Sequence, residues 1–178
     1  MKILAIIFDG FEEEEAMAPF ALLRRAGANL TIASNKATVK GNHDIYLSNI
    51  TLLDSINYKD YDCLLVPGGP HYVFLRQSKM VHEMINYFFS SNKIVCGICA
   101  APTIFGMLGH LKGKKYTCFT SMNDDFGGFY QDNGVVVDGN LITAKSVAYS
   151  IDFAYAIIEK TMGKDVLNTV WKHIYYEK

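Results

Sequence analysis

No apolar run in this chain is long enough to span a membrane or to form the core of a signal peptide. The opening run, Ile3 to Phe8, stops at Asp9, and no later run approaches the roughly 20 residues that a span needs. An excess of either charge is also missing. Lysine and arginine number 17 against 18 aspartates and glutamates, dispersed along the chain, so no basic stripe exists to follow a phosphate backbone. These absences argue against nucleic acid and membrane as partners, and the expectation is a cytoplasmic protein. Cysteine is sparse: the four, at positions 63, 96, 99 and 118, fall in strand-like or elbow positions rather than in loops. That placement argues against a disulfide scaffold and against a structural zinc cluster.

What is present is a pattern of short buried strands alternating with helices. A length of 178 residues suits one well-buried domain, taken as residues 1–178, and half of those residues are apolar. Lys2 to Phe8 reads as a continuous apolar strand, followed after Asp9-Gly10 by an acidic run and a helical period at Ala16, Met17, Phe20 and Leu23 that Gly27 stops. Carboxylates in a first helical turn are favoured by the dipole, which by itself accounts for most of Glu12 to Glu15. Leu30 to Ala33 gives a second strand, Val39 and Ile45 to Leu47 a short hairpin, and Ile50 to Asp60 an irregular connection. Tyr61 to Val66 is another buried strand, stopped by Pro67-Gly68-Gly69-Pro70, a turn that lets backbone approach something closely. Met80 to Phe89 has helical spacing, Tyr116 to Phe119 is strand-like, and Val135 to Val137 with Leu141 to Thr143 forms a hairpin around Asp138-Gly139-Asn140. Ile151 to Met162 is the last strong helix, followed by a short one through Trp171. Such alternation predicts an α/β fold with a mostly parallel sheet covered on both faces, and the loops at the carboxyl ends of its strands form the ligand crevice. Asp9 to Glu15, Pro67 to His71 and Cys99 to Ala101 are all loops of that kind.

The stretch Lys93 to Thr103 carries the chemistry. An apolar strand meets Cys99 and turns at once into a helix whose first turn accepts Pro102, because the missing N–H is not needed there. Cys99 therefore sits on a sharp strand-to-helix turn resembling a nucleophile elbow, beside free backbone N–H groups. Helix-terminal amides favour negative charge, which predicts a thiol held below its usual value near 8.5. A buried packing cysteine is the plain alternative, since free cysteine is among the most buried residue types. Cys96 and Cys99 also form a C-x-x-C spacing. If residues 94–98 are strand, though, Cys96 lies buried below the elbow, too far along an extended chain to bridge.

Asp9-Gly10-Phe11-Glu12-Glu13-Glu14-Glu15, Arg24-Arg25-Ala26-Gly27, Pro67-Gly68-Gly69 and Ile98-Cys99-Ala100-Ala101-Pro102 together resemble, in order and spacing, the DJ-1/ThiJ/PfpI superfamily. The resemblance runs from Lys2 to about Lys164. Ile-Cys-Ala-Ala-Pro looks like the ThiJ branch; PfpI proteases would have His where this chain has Ala100, which disfavours proteolysis. The resemblance implies a flavodoxin-like three-layer sandwich, Cys99 as nucleophile, Glu15 as its carboxylic partner, and the amides of Gly69 and Ala100 as oxyanion donors. It implies no cofactor and no metal, a homodimer, and a small-molecule partner, either a reactive aldehyde or peroxide. The activity it implies is a glyoxalase or deglycase acting on reactive carbonyl compounds; the alternative, of another class, is an oxidation-sensing or chaperone-like protein in which Cys99 is oxidised rather than turned over. The chain departs from the superfamily where Phe119, beside Cys118, replaces a pocket histidine, and where Lys145 replaces an Arg. His71, after the Gly-Gly turn, is the auxiliary group that could reach the cleft in compensation.

Overall fold

A computed structural model describes residues 1–176. Strand β1 (Lys2–Ile6) is continuously apolar because it is buried on both faces, and its side chains divide the core: Ile3, Ala5 and Ile7 face one way, Leu4, Ile6 and Phe8 the other. Helix α1 (Glu13–Arg25) follows, then β2 (Asn29–Ser34), which pairs parallel to β1. The predicted short hairpin forms from β3 (Thr38–Lys40) and β4 (Tyr46–Ser48). The stretch expected to be irregular contributes a two-residue edge strand, β5 (Thr51–Leu52), beside β2. Two residues are too few for a period-2 signal, which is why the sequence reads as loop there.

Strand β6 (Cys63–Val66) lies between β1 and β7 (Ile94–Ile98), parallel to both. Helices α2 (Tyr72–Leu75) and α3 (Lys79–Ser90) connect them, α3 capped by the Ser78 hydroxyl accepting from the Val81 N–H. After β7 comes α4 (Ala101–Met107), with Pro102 in its first turn as expected. Of the run Tyr116 to Phe119 only β8 (Lys115–Tyr116) is strand, paired with β9 (Phe129–Tyr130) in a ribbon outside the main sheet. The second predicted hairpin is β10 (Val135–Asp138) and β11 (Leu141–Ala144), and β11 pairs parallel to β7. Helices α5 (Ser150–Met162) and α6 (Lys164–His173) close the chain.

The main sheet runs β10-β11-β7-β6-β1-β2-β5 and is parallel apart from its antiparallel edge strand β10. One face is covered by α1, α5 and α6 through Phe20, Leu23, Phe153, Ile157 and Leu167, the other by α3 and α4 through Val81, Ile85, Phe88, Ile104 and Phe105. This is the flavodoxin-like three-layer arrangement. No helix among the described residues is long and apolar enough to cross a membrane.

Close packing just before the elbow depends on Gly97. A Cβ there would lie 2.6 Å from the Phe105 ring, so α4 can seat against the end of β7 only over a residue without a side chain. Phe105 is fully buried and has no free space to retreat into. Gly97→Ala is therefore expected to destabilise the fold by about 1–3 kcal/mol through overpacking, read as a lower urea midpoint with an unchanged slope.

Candidate functional site

Cys99 occupies the single turn between β7 and α4 with φ +62°, a left-handed conformation that costs a residue other than glycine about 1–2 kcal/mol. Both of its backbone polar groups are tied. Its N–H donates to the Ala144 carbonyl at the end of β11, and its carbonyl accepts from the Phe119 N–H, each at 2.9 Å. These two bonds hold the elbow in place and aim the sulfur out of the sheet. Cys99 is the one cysteine of the four that is not buried.

Glu15 reaches the sulfur from the first turn of α1. The residue is 1% exposed, and its carboxyl shares a hydrogen bond with the Cys99 thiol and accepts from the Gly68 N–H at 3.0 Å through Oε2. Gly68 separates the two functional groups. A Cβ on it would fall 2.3 Å from Glu15 Oε2 and 2.6 Å from Cys99 Cβ. At Gly69, with φ +101°, a Cβ would strike the Glu12 N and the Gly10 carbonyl. The sequence reading that this turn lets backbone approach something closely is met at both residues: one glycine makes room for the pair, the other for the loop that carries α1. The N–H groups of Gly69 and Ala100 both address the Cys99 sulfur. Cys99, Glu15, Gly69 and Ala100 thus lie together at the elbow.

The electrostatics differ from the sequence expectation. Burial raises the Glu15 carboxyl to about 7, with the Glu12 charge adding to the rise, while the hydrogen bonds to Cys99 and Gly68 oppose it. The thiol is not depressed. Burial, then the Glu15 carboxylate, pushes the Cys99 thiol far above its ordinary value, against the smaller pull of the Ala100 and Gly69 amides. An amide pair at a turn cannot outweigh desolvation plus an adjacent like charge. The pocket accepts one negative charge, so a thiolate on Cys99 exists when Glu15 holds the proton and donates it toward sulfur.

His71 does not reach the cleft. It is fully buried beneath the Pro67-Gly68-Gly69 turn, its Nδ1 accepting from the Phe8 N–H at 3.1 Å and its Nε2 bonded to the Pro67 carbonyl at 2.9 Å. Accepting at Nδ1 fixes the proton on Nε2, and burial lowers the imidazole to about 4. It is a brace between the end of β1 and the glycine turn. Lys145, expected to keep the charge of an absent Arg, gives its ammonium to Asp132 and does not line the cleft. Phe119 does line it, where a histidine was noted as missing. Cys96 packs with its sulfur 3.6 Å from that of Cys63 in the core, which disposes of the Cys96–Cys99 pairing, and burial raises Cys118 to about 11.

Sequence reasoning missed the two titratable cleft residues Glu12 and His43, as well as Ser146 and Val147. Glu12 and His43 line the cleft with Glu15, Gly69, Cys99, Phe119, Ser146 and Val147. Glu12 was absorbed into the dipole reading of the acidic run, and His43 lies on a loop remote in sequence with no periodic signal to mark it. The cleft volume is about 220 Å³.

Two measurements follow. Alkylation of Cys99 by iodoacetamide, followed by peptide mass spectrometry, is expected to rise through about pH 7 as the Glu15–Cys99 pair loses its first proton. Glu15→Gln removes that step; an identical profile in the variant would show that the two groups do not share a proton. Stability responds to both buried groups with opposite sign. Glu15, ordinarily at 4.5 and folded at about 7, stabilises the native state below 4.5 and loses that contribution as pH rises through 7. His71, ordinarily at 6.5 and folded at about 4, contributes above 6.5 and loses it as pH falls through 4. Each is worth about 3 kcal/mol in full, so between 4.5 and 6.5 their opposite pH dependences cancel and the sum stays level. Chemical denaturation of Glu15→Gln should then show the His71 loss alone, about 1.4 kcal/mol per pH unit on acidification below 6.5.

The geometry has counterparts among known proteins. Protein DJ-1 homolog B of Arabidopsis thaliana is 38% identical over 170 residues, covering 92% of this chain and 39% of that protein, so the chain spans about two fifths of that relative. Deglycase PfpI of Pyrococcus furiosus is 32% identical over 149 residues, covering 82% of this chain and 90% of that protein. The crystal structure of Drosophila melanogaster DJ-1beta superposes with a TM-score of 0.91 at 31% identity, covering 99% of this chain and 98% of that one. The family pattern itself matches residues 1–160, and the chain belongs to the DJ-1/PfpI family.

Proposed function

We propose that this protein is a cysteine-dependent enzyme acting on small reactive carbonyl compounds, of the glyoxalase or deglycase type. The observation that carries the reading is the buried Glu15–Cys99 pair with the Gly69 and Ala100 N–H groups around the sulfur. Sulfur adds to an aldehyde carbon, and the two N–H groups stabilise the oxyanion that forms. Glu15, raised to about 7, gives up or takes a proton at neutral pH with little driving force in either direction, as a general acid and base should. A cleft of about 220 Å³ lies below the roughly 300–1,000 Å³ of pockets for drug-sized ligands, which favours a substrate of a few carbons. With an α-oxoaldehyde, the aldehyde carbon is oxidised while the neighbouring ketone is reduced and one water is consumed. The balance is internal, so no cofactor is called for. The name of the P. furiosus relative, a deglycase, supports the same class.

Phe119 favours a second reading. An aromatic ring in the cleft cannot move a proton, which leaves Glu15 as the acid–base group in contact with the sulfur and suits a thiol that is oxidised by peroxide rather than turned over.

Methylglyoxal without glutathione separates the two. The wild-type protein should form lactate, Cys99→Ala should lose at least roughly three orders of magnitude in rate, and Glu15→Gln roughly 10²–10⁴-fold. Lactate formation at equal rates in wild type and Cys99→Ala would remove the catalytic assignment, and no lactate from either leaves the oxidation reading.

A further inference from the structure

Beside the mouth of the same cleft, Glu12, Glu13 and His43 bring two carboxylate oxygens and an imidazole nitrogen within 4.8 Å of one another. The helix dipole accounts for acids at this position, yet two features lie outside that account. Glu13 is 4% exposed, and its Oε2 is buried without any hydrogen-bond partner. A buried carboxylate oxygen left unpaired is costly, more so than a neutral group, which calls for a cation to meet it. The second feature is how firmly the histidine loop is tied to the acid. Glu13 Oε1 accepts from the His43 N–H at 2.6 Å and the Ile45 N–H at 3.4 Å, and a Cβ on Gly41 would lie 2.2 Å from that oxygen. Glycine at 41 therefore lets the loop close over the carboxylate and present His43 next to it.

We propose that Glu12, Glu13 and His43 form a binding site for one borderline first-row divalent cation, of which Zn²⁺ is the representative. Glu12 Oε2 and His43 Nε2 stand 3.3 Å apart, with Asn42 Nδ2 also 3.4 Å from that nitrogen. Bonds of about 2.0–2.2 Å at tetrahedral angles put ligand atoms roughly 3.3–3.5 Å apart, so Glu12 and His43 already have ligating separation. Glu13 completes the set with a movement of at most about 1.5 Å. Two carboxylates and a neutral imidazole carry a charge that a dication offsets. An imidazole among the ligands favours Zn²⁺ over Mg²⁺ and Ca²⁺, which want six or more oxygens. Three protein ligands leave a fourth position open, and the two backbone bonds to Glu13 Oε1 supply the outer support that orients such a ligand. Glu12 and His43 also line the cleft that holds Cys99, so the cation would sit at its entrance.

Because a thiol also binds Zn²⁺, the test uses the full chain carrying Cys99→Ala. Calorimetric titration with zinc chloride is expected to show one Zn²⁺ per chain, weakened at least 10-fold by His43→Ala or by Glu13→Gln, with Mg²⁺ and Ca²⁺ unable to compete. Glu13 is buried and its variant could lose stability, whereas His43 has a side chain 64% exposed, so His43→Ala decides the matter on a folded protein. Co²⁺ in place of Zn²⁺ should give a visible spectrum without thiolate charge transfer. No binding by the Cys99→Ala protein, a thiolate band with Co²⁺, or equal affinity after His43→Ala would each overturn the assignment.

Discussion

A desolvated pocket that tolerates one negative charge and not two organises this molecule. Cys99 and Glu15 lie 84 positions apart in sequence and meet where burial weakens the screening between them, so the ionisation of either sets the condition for the other. The surrounding structure keeps that arrangement tight. Gly68 lets the carboxyl and thiol stand side by side, Gly69 lets the α1 loop pass beneath, and the Gly68 N–H holds one carboxyl oxygen. His71, locked as the Nε2–H tautomer between Phe8 and Pro67, fixes the glycine turn from below. A neutral imidazole is the form that fits there, since a protonated ring would set a donor against the Phe8 N–H.

The elbow shows why such a site is built on a parallel sheet. Strands β1, β6 and β7 all end at the same edge, and each hands over a loop: Asp9 to Glu12, Pro67 to His71, and Cys99 itself. The helices that follow point their N-termini at the crevice, with amides available to negative charge. Backbone strain at Cys99 is sustained because Ala144 and Phe119 clamp the peptide groups on either side.

Much of this was legible in the sequence, for definite reasons. Continuous apolar runs such as Ile3 to Ile7 and Cys63 to Val66 mark strands buried on both faces, and helical spacing in α3 and α5 marks the cover. The elbow showed itself because a strand runs into Cys99 with Pro102 just beyond. Properties that depend on surroundings were not legible. Whether amides or desolvation govern the Cys99 thiol turns on burial, which no local pattern records, and the expected depression proved to be a rise. His71 reads as a loop residue, yet it is buried because the loop folds back over the end of β1. His43 comes close to Glu12 and Glu13 only through the closure of the β3–β4 loop, 30 residues on from the acid that tethers it.

The clamp on Cys99 also fixes when the site can exist during synthesis. Its partners, Phe119 and Ala144, are made 20 and 45 residues after it, and Glu15 long before, so the elbow cannot close until β11 has emerged and paired with β7. Contacts of such sequence separation carry a high loop-closure cost and form late. A nascent or partly folded chain therefore carries at position 99 an ordinary cysteine, without its carboxylic partner and without the turn that presents it. The chemistry of this residue is a property of the completed fold and not of the local sequence around it.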